Sequence, residues 1–225
     1  MTVLVAGGTG ALGGAVLREF VDAGHDVAAT WMVGRERDRI ESELGDSVQL
    51  VEADLLDAEG AEKAVGAVED LEAVVNLVGG FASGPLVHET EPDDFKRMLE
   101  LNLIPGFNLA RAAMPRLVER GTGAFVGVSA RPALRPFPGA AGYITGKAGV
   151  LAFVQALDAE YRDKGVRCNA VLPSVIDTPA NREAMPKADF SKWVPPAEIA
   201  RVIRFLVSDE SAPVSGAGIP VYGRA

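Results

Sequence analysis

The stretch Val3-Leu4-Val5-Ala6-Gly7-Gly8-Thr9-Gly10-Ala11-Leu12-Gly13-Gly14 decides the fold. Its first four residues are apolar and stop abruptly at glycine, as a short strand covered on both faces does. Val16, Leu17, Phe20 and Val21 then share one face of a helix, so a helix starts directly after the glycines. Glycines between a strand and a helix let the backbone turn tightly and approach a pyrophosphate. That charge then sits at the helix N-terminus. A glycine-rich turn alone is a weak sign; this placement makes it a dinucleotide loop.

The alternation continues outward from that loop. Strand-like runs recur at Val27–Trp31, Val48–Glu52, Ala73–Val78, Ala124–Val128, Arg167–Leu172 and Ile219–Val221. Amphipathic stretches separate them, the last with Ile199, Val202, Ile203 and Leu206 on one face. Gly24, Gly45 and Gly165 stand where those helices should stop. Alternating β and α over the whole length predicts an α/β fold: one doubly wound, Rossmann-type parallel sheet with helices on both faces. No repeat or linker divides residues 1–225, which read as a single dinucleotide-binding and catalytic domain.

Composition narrows the function. The 225 residues carry a net charge of −9, which argues against a nucleic-acid backbone or an anionic membrane as a general partner. One cysteine, Cys168, and two histidines exclude an intrachain disulfide and disfavour a structural zinc site. No basic leader precedes the first strand, and no uncharged apolar run reaches the ~18–20 residues that span a bilayer. The expectation is a cytoplasmic protein.

Tyr143 and Lys147 are four residues apart, so on a helix both side chains leave the same face. A phenol titrates near ~10 and is a poor base at neutral pH. A lysine ammonium beside it stabilises the phenolate and lowers that value. Such a tyrosine can give a proton to a carbonyl oxygen or take one back. Pro105 removes the N–H that would bond the Leu101 carbonyl, which predicts a helix disturbed around Leu101–Asn102, with room for a water.

These residues, taken in order, resemble the short-chain dehydrogenase/reductase family. Ala6-Gly7 and Gly13 match its glycine loop, with Ala11 at the middle glycine. Asp54 matches the acid that bonds the adenine, and Asn76-Leu77-Val78-Gly79 resembles the family's Asn-Asn-Ala-Gly segment. Asn102 falls at the fourth catalytic residue, which in the family holds a water that passes protons to the lysine. Tyr143-Ile144-Thr145-Gly146-Lys147 matches Tyr-x-x-x-Lys, and Asn169 through Thr178 resembles the stretch framing the nicotinamide. The resemblance implies that Gly7, Thr9, Ala11, Leu12, Gly13, Trp31, Asp54 and Leu55 meet the cofactor. Asn76, Val78, Gly79, Tyr143, Lys147, Pro173, Ile176 and Thr178 complete that set. It implies Tyr143, Lys147, Asn102 and Ser129 as catalytic residues.

The serine departs from the pattern. The family's serine stands thirteen positions before the tyrosine, where this chain has Ala130; Ser129 is one step off. One step along a strand reverses the side-chain face. Either a bulge re-aims Ser129 or the site works without it. Ala130-Arg131, Val78 through Gly84 and Leu172 through Trp193 resemble the dihydropteridine reductase branch.

Three functions follow. The first is an NAD(P)-dependent oxidoreductase acting on a small carbonyl or alcohol, with Tyr143 as acid/base. The second is a quinonoid dihydropteridine reductase-like enzyme acting on a pterin-like substrate. The third is a dinucleotide-binding sensor without turnover, against which Tyr143, Lys147 and Asn102 together argue. Trp31 replaces the acid that favours NAD, and Arg35 or Arg37 just beyond could take a 2′-phosphate. That favours NADP over NAD. The apolar helices around Phe107–Leu117 and Val150–Leu157 resemble those through which family members form homodimers and homotetramers.

Overall fold

The structure is a computed structural model that describes residues 1–224. Seven strands form one parallel sheet: β1 Thr2–Ala6, β2 Asp26–Trp31, β3 Val48–Glu52, β4 Leu71–Asn76, β5 Gly123–Val128, β6 Val166–Pro173 and β7 Gly218–Val221. Their order is β3-β2-β1-β4-β5-β6-β7, so the winding reverses between β1 and β4. Ligands in open α/β sheets bind at the carboxyl ends of the strands beside such a reversal.

Among the described residues there are seven α-helices: α1 Ala11–Asp22, α2 Gly34–Leu44, α3 Ala58–Gly66, α4 Pro92–Arg120, α5 Ala141–Tyr161, α6 Pro179–Ala184 and α7 Pro196–Val207. Alternation along β1 shows the layering. Val3 and Val5 pack in one core with Val16, Leu17 and Phe20 of α1 and Ile199 and Ile203 of α7. Leu4 and Ala6 pack in the other, with residues of α3, α4 and α5. A strand buried on both faces must be apolar at every position, which is why its sequence lacks alternation.

Two expectations change. β4 ends at Asn76 rather than Val78, because the Asn76 Oδ1 accepts the Val78 N–H at 3.1 Å and turns the chain out of the ladder. The predicted disturbance near Asn102 is not a break: α4 runs unbroken for 29 residues, with Pro105 and Pro115 inside it. The helix is packed on both sides of Pro105, by buried Met98 before it and Leu109, Ala113 and Leu117 after it, so the bonds missing at the two prolines do not interrupt it. Among the described residues no helix is long and apolar enough to cross a membrane.

Candidate active site

The glycine loop is built from backbone. Gly7 has a φ of +71°, in the region only glycine enters cheaply, and its N–H donates to Thr30 Oγ1 at 2.9 Å. A Cβ on Gly13 would stand 2.3 Å from the Gly8 carbonyl oxygen, so α1 and the loop touch main chain to main chain. Gly10 caps α1 with no side-chain hydrogen bond, and the first turn, which includes Ala11 and Leu12, holds no acid. The leading N–H groups of α1 therefore have no competing carboxylate, as an anion site needs. Thr9, within the loop, is buried.

The neighbouring arginines differ from expectation. Arg37 lies over the Trp31 ring at 5.0 Å and donates to Asp38 Oδ1 at 2.8 Å, so it is spent locally. Arg39 instead reaches the loop, donating to the carbonyls of Thr9 at 2.6 Å and Gly10 at 3.3 Å. The reason lies in how α2 docks. Ile40 and Arg39 are the α2 side chains that approach Gly14 of α1, so that face turns toward the loop. Arg35 is exposed.

The next stops along the carboxyl edge are also pinned. Asp54 Oδ1 accepts the Leu56 N–H at 2.9 Å, while Leu55 is buried. Asn108 of α4 holds this turn from behind, donating to the carbonyls of Leu55 at 3.0 Å and Leu56 at 3.2 Å. Asn76 shapes the turn after β4, where Val78 packs over the Gly7 loop.

The polar cluster lies where α4 and α5 meet that edge. Lys147 is buried, and its Nζ donates to the Val128 carbonyl at 2.9 Å. Asn102 is fully buried. Its Oδ1 accepts the Gly80 N–H at 3.2 Å, and its Nδ2 donates to the carbonyls of Gly80 at 3.1 Å and Met98 at 2.9 Å. A Cβ on Gly79 would stand 2.7 Å from Asn102 Oδ1 and 2.8 Å from Lys147 Nζ. Those two polar ends thus face one small space that only glycine leaves open.

Tyr143 stands one turn before Lys147 on α5, half-buried, with the Phe81 ring edge-on at 5.0 Å. Burial pushes its hydroxyl up to about 12 and pushes Lys147 down to about 8. This corrects the expected lowering of the tyrosine. The Lys147 ammonium is turned onto the Val128 carbonyl, so desolvation dominates at Tyr143.

Ser129 sits just past β5, and no register shift marks that strand, so no bulge re-aims it. Its hydroxyl donates to the Lys147 carbonyl at 2.6 Å and is buried. Ser129 therefore braces the α5 backbone, and Ala130 occupies the position beside it. β6 ends at Pro173, Ile176 bridges to Val194, and Thr178 caps α6 by accepting the Asn181 N–H at 3.2 Å. Thr30, Arg39, Phe81 and Asn108 were not singled out from sequence as site residues. Thr30 and Asn108 give one signal, a polar residue on an apolar strand or helix face.

Residues 1–189 match the short chain dehydrogenase family. The chain belongs to that family. This short-chain dehydrogenase is 30% identical to Nodulation protein G of Rhizobium meliloti over 98% of its own length and 94% of the relative's. It is 28% identical to acetoacetyl-CoA reductase of Shinella zoogloeoides, covering 98% and 96% of the two chains. The solved structure of ElxO with NADP bound shares the fold, with a TM-score of 0.91 at 24% identity over 99% and 97% of the chains. These relatives, among them acetoacetyl-CoA reductases, do not show the expected closeness to dihydropteridine reductase. In this short-chain dehydrogenase Lys147 and Asn102 meet at Gly79, Tyr143 stands one turn before Lys147 on α5, and Ser129 bonds the Lys147 carbonyl.

Proposed function

We propose that the chain is an NADP(H)-preferring carbonyl reductase in which Tyr143 gives the proton. The carrying observation is Lys147: a lysine buried beside Asn102, one helical turn from a half-buried tyrosine, at the sheet edge next to the glycine loop. Burying a lysine is costly, and such groups collect at sites of chemistry.

The residues present fit a dinucleotide. The glycine cradle, where added side chains would meet backbone, and the uncapped α1 N-terminus suit a pyrophosphate. The Asp54–Leu56 turn suits the adenine end, and Asn76, Val78, Gly79, Pro173, Ile176 and Thr178 frame the other. Bound there, the nicotinamide supplies the hydride.

The chain's own residues do the rest. Tyr143, held protonated by burial, is loaded to donate to the oxygen of a carbonyl as it becomes an alcohol. Lys147, whose ammonium rests on the Val128 carbonyl, offsets the charge left on the phenol oxygen once it swings toward Tyr143, and its value near 8 lets it exchange a proton near neutral pH. Asn102 is a positioning residue that fixes the Gly79–Gly80 backbone against Lys147. Ser129 positions α5 from behind.

Cofactor choice rests on Trp31, which cannot accept from both ribose hydroxyls, and on Arg39, which brings a guanidinium to the loop. Self-association follows the same reading: Ile104 and Phe107 are exposed on α4, with Phe153 of α5 against Phe107 at 6.2 Å. A monomer mass by light scattering at micromolar concentration would refute that.

The test is oxidation of NADPH and NADH against simple ketones, acetoacetyl thioesters, quinones and quinonoid dihydropterin. NADPH-dependent turnover of a carbonyl is expected. Turnover of the pterin alone, or cofactor binding with no turnover, would overturn the proposal.

A further inference from the structure

Large apolar side chains are exposed on the loops that follow β4 and β5 at the carboxyl edge. Phe81 is 63% exposed, although its ring stands edge-on to Tyr143 at 5.0 Å and 85°. Leu134 and Phe137, on the connection from β5 to α5, are 55% and 41% exposed. That connection and the Phe81 loop are fastened together by the Gly84 N–H donating to the Gly139 carbonyl at 2.8 Å. Their backbones are so close that a Cβ on Gly139 would stand 2.6 Å from the Gly84 oxygen. A cavity of about 180 Å³ opens between the two loops and α4; Tyr143, Phe95 and Met98 line it together with Asp94 and Arg97, and Phe81 stands outside the lining, next to Ala82 at its rim. Large exposed apolar side chains grouped beside a cavity mark a binding surface.

Resting on the reductase reading, we propose that Phe81 and this cavity form the substrate subsite, and that it takes a carbonyl attached to a flat apolar ring. The geometry is selective. Aromatic rings pair edge-to-face or offset-stacked at centroid distances of about 4.5–7 Å. The Phe81 ring packs T-shaped on Tyr143 and is 63% exposed, so much of it stays open to a second ring. A substrate ring laid on it brings an adjoining carbonyl toward the Tyr143 hydroxyl. The cavity has room for one ring-sized group; Phe95, Met98 and Ala140 supply the apolar part of its lining, beside the polar Ser83, Thr90, Asp94 and Arg97. Phe81 is thus a specificity-determining residue, and a flexible alkyl ketone gains less from it because it must be ordered against a flat wall.

The experiment compares acetophenone with octan-2-one, ketones with the same number of carbons, in NADPH-dependent turnover by the whole chain. Wild type is expected to favour acetophenone in kcat/KM. Phe81→Ala is expected to lower the acetophenone-to-octan-2-one ratio about tenfold or more, chiefly through KM for acetophenone. Phe81→Tyr, which keeps the ring, should keep the ratio. An unchanged ratio in Phe81→Ala, or a wild-type preference for octan-2-one, overturns the subsite. Turnover of an acetoacetyl thioester with neither ketone accepted overturns it while leaving the reductase reading intact. If no carbonyl oxidises NADPH, the reductase reading fails, and acetophenone binding by saturation-transfer NMR with NADP⁺ present decides the subsite alone. Binding lost in Phe81→Ala supports it; equal binding in both proteins overturns it.

Discussion

The two halves of the carboxyl edge are built from opposite materials. Around β1 and α1 the site is backbone: glycines at 7, 8, 10 and 13, an uncapped helix end, and Thr30 fastening the Gly7 N–H. Around α4 and α5 it is buried polar side chain: Lys147, Asn102 and Ser129, each with a hydrogen-bond partner. The first half can hold a charged ligand without titrating. The second carries groups whose ionisation burial has moved, which is what proton transfer needs. Binding and chemistry are thus separable by mutation.

The largest effect should come from the chemical half. Tyr143→Phe removes the phenolic proton with little change in shape, and kcat should fall ~10²-fold or more. A near-wild-type kcat on any wild-type substrate would end the acid/base role.

Gly79→Ala probes the seam between the halves. Its methyl would stand 2.7 Å from Asn102 Oδ1 and 2.8 Å from Lys147 Nζ, so both must shift. Displacement of that order near the reacting atoms should cost roughly 10- to 100-fold in kcat. Unchanged kinetics would mean that the position of Lys147 is not critical.

Lys147→Met gives a stability readout without substrate. Burial lowers the folded lysine from 10.5 to about 8, so the unfolded chain binds the extra proton between those values. Stability contributed by this site is therefore reduced below pH 8 and rises with pH from about 8 to about 10.5, on the order of 3 kcal/mol in all. Tyr143 acts oppositely above pH 10, its folded value being raised to about 12. Denaturant titration from pH 7.5 to 9, below the range in which buried Cys168, raised from 9.0 to about 12, acts oppositely, should show a rise in wild type that Lys147→Met lacks. Equal slopes would contradict the burial of a titrating lysine.

Ser129→Ala is the mildest. It deletes a buried hydrogen bond to the Lys147 carbonyl, worth about 1 kcal/mol of stability. Turnover should change only a few-fold; a loss as large as that of Tyr143→Phe would return Ser129 to the chemistry.

The two halves also differ in how far the sequence discloses them. All seven strands and the glycine loop are readable because doubly buried strands are apolar runs and tight turns need glycine. Tyr143, Lys147 and Asn102 are readable through spacing and resemblance. What is not readable depends on side-chain direction. Arg39 rather than Arg35 reaches the loop because of how α2 docks on α1. Ser129 turns onto α5 because β5 carries no bulge, which its residues alone leave open. The raised value of Tyr143 depends on burial between α5 and the Phe81 loop, contacts made far along the chain.

The division of labour is tested most directly by titrating NADPH, followed by its fluorescence, into wild type, Tyr143→Phe and Gly13→Ala. A methyl at position 13 would stand 2.3 Å from the Gly8 carbonyl oxygen and push the loop out of shape. The dissociation constant should stay within about threefold of wild type in Tyr143→Phe and rise more than about tenfold in Gly13→Ala, whose fold circular dichroism would verify. Tyr143→Phe weakening NADPH as much as Gly13→Ala does, or Gly13→Ala binding it normally, would contradict the account.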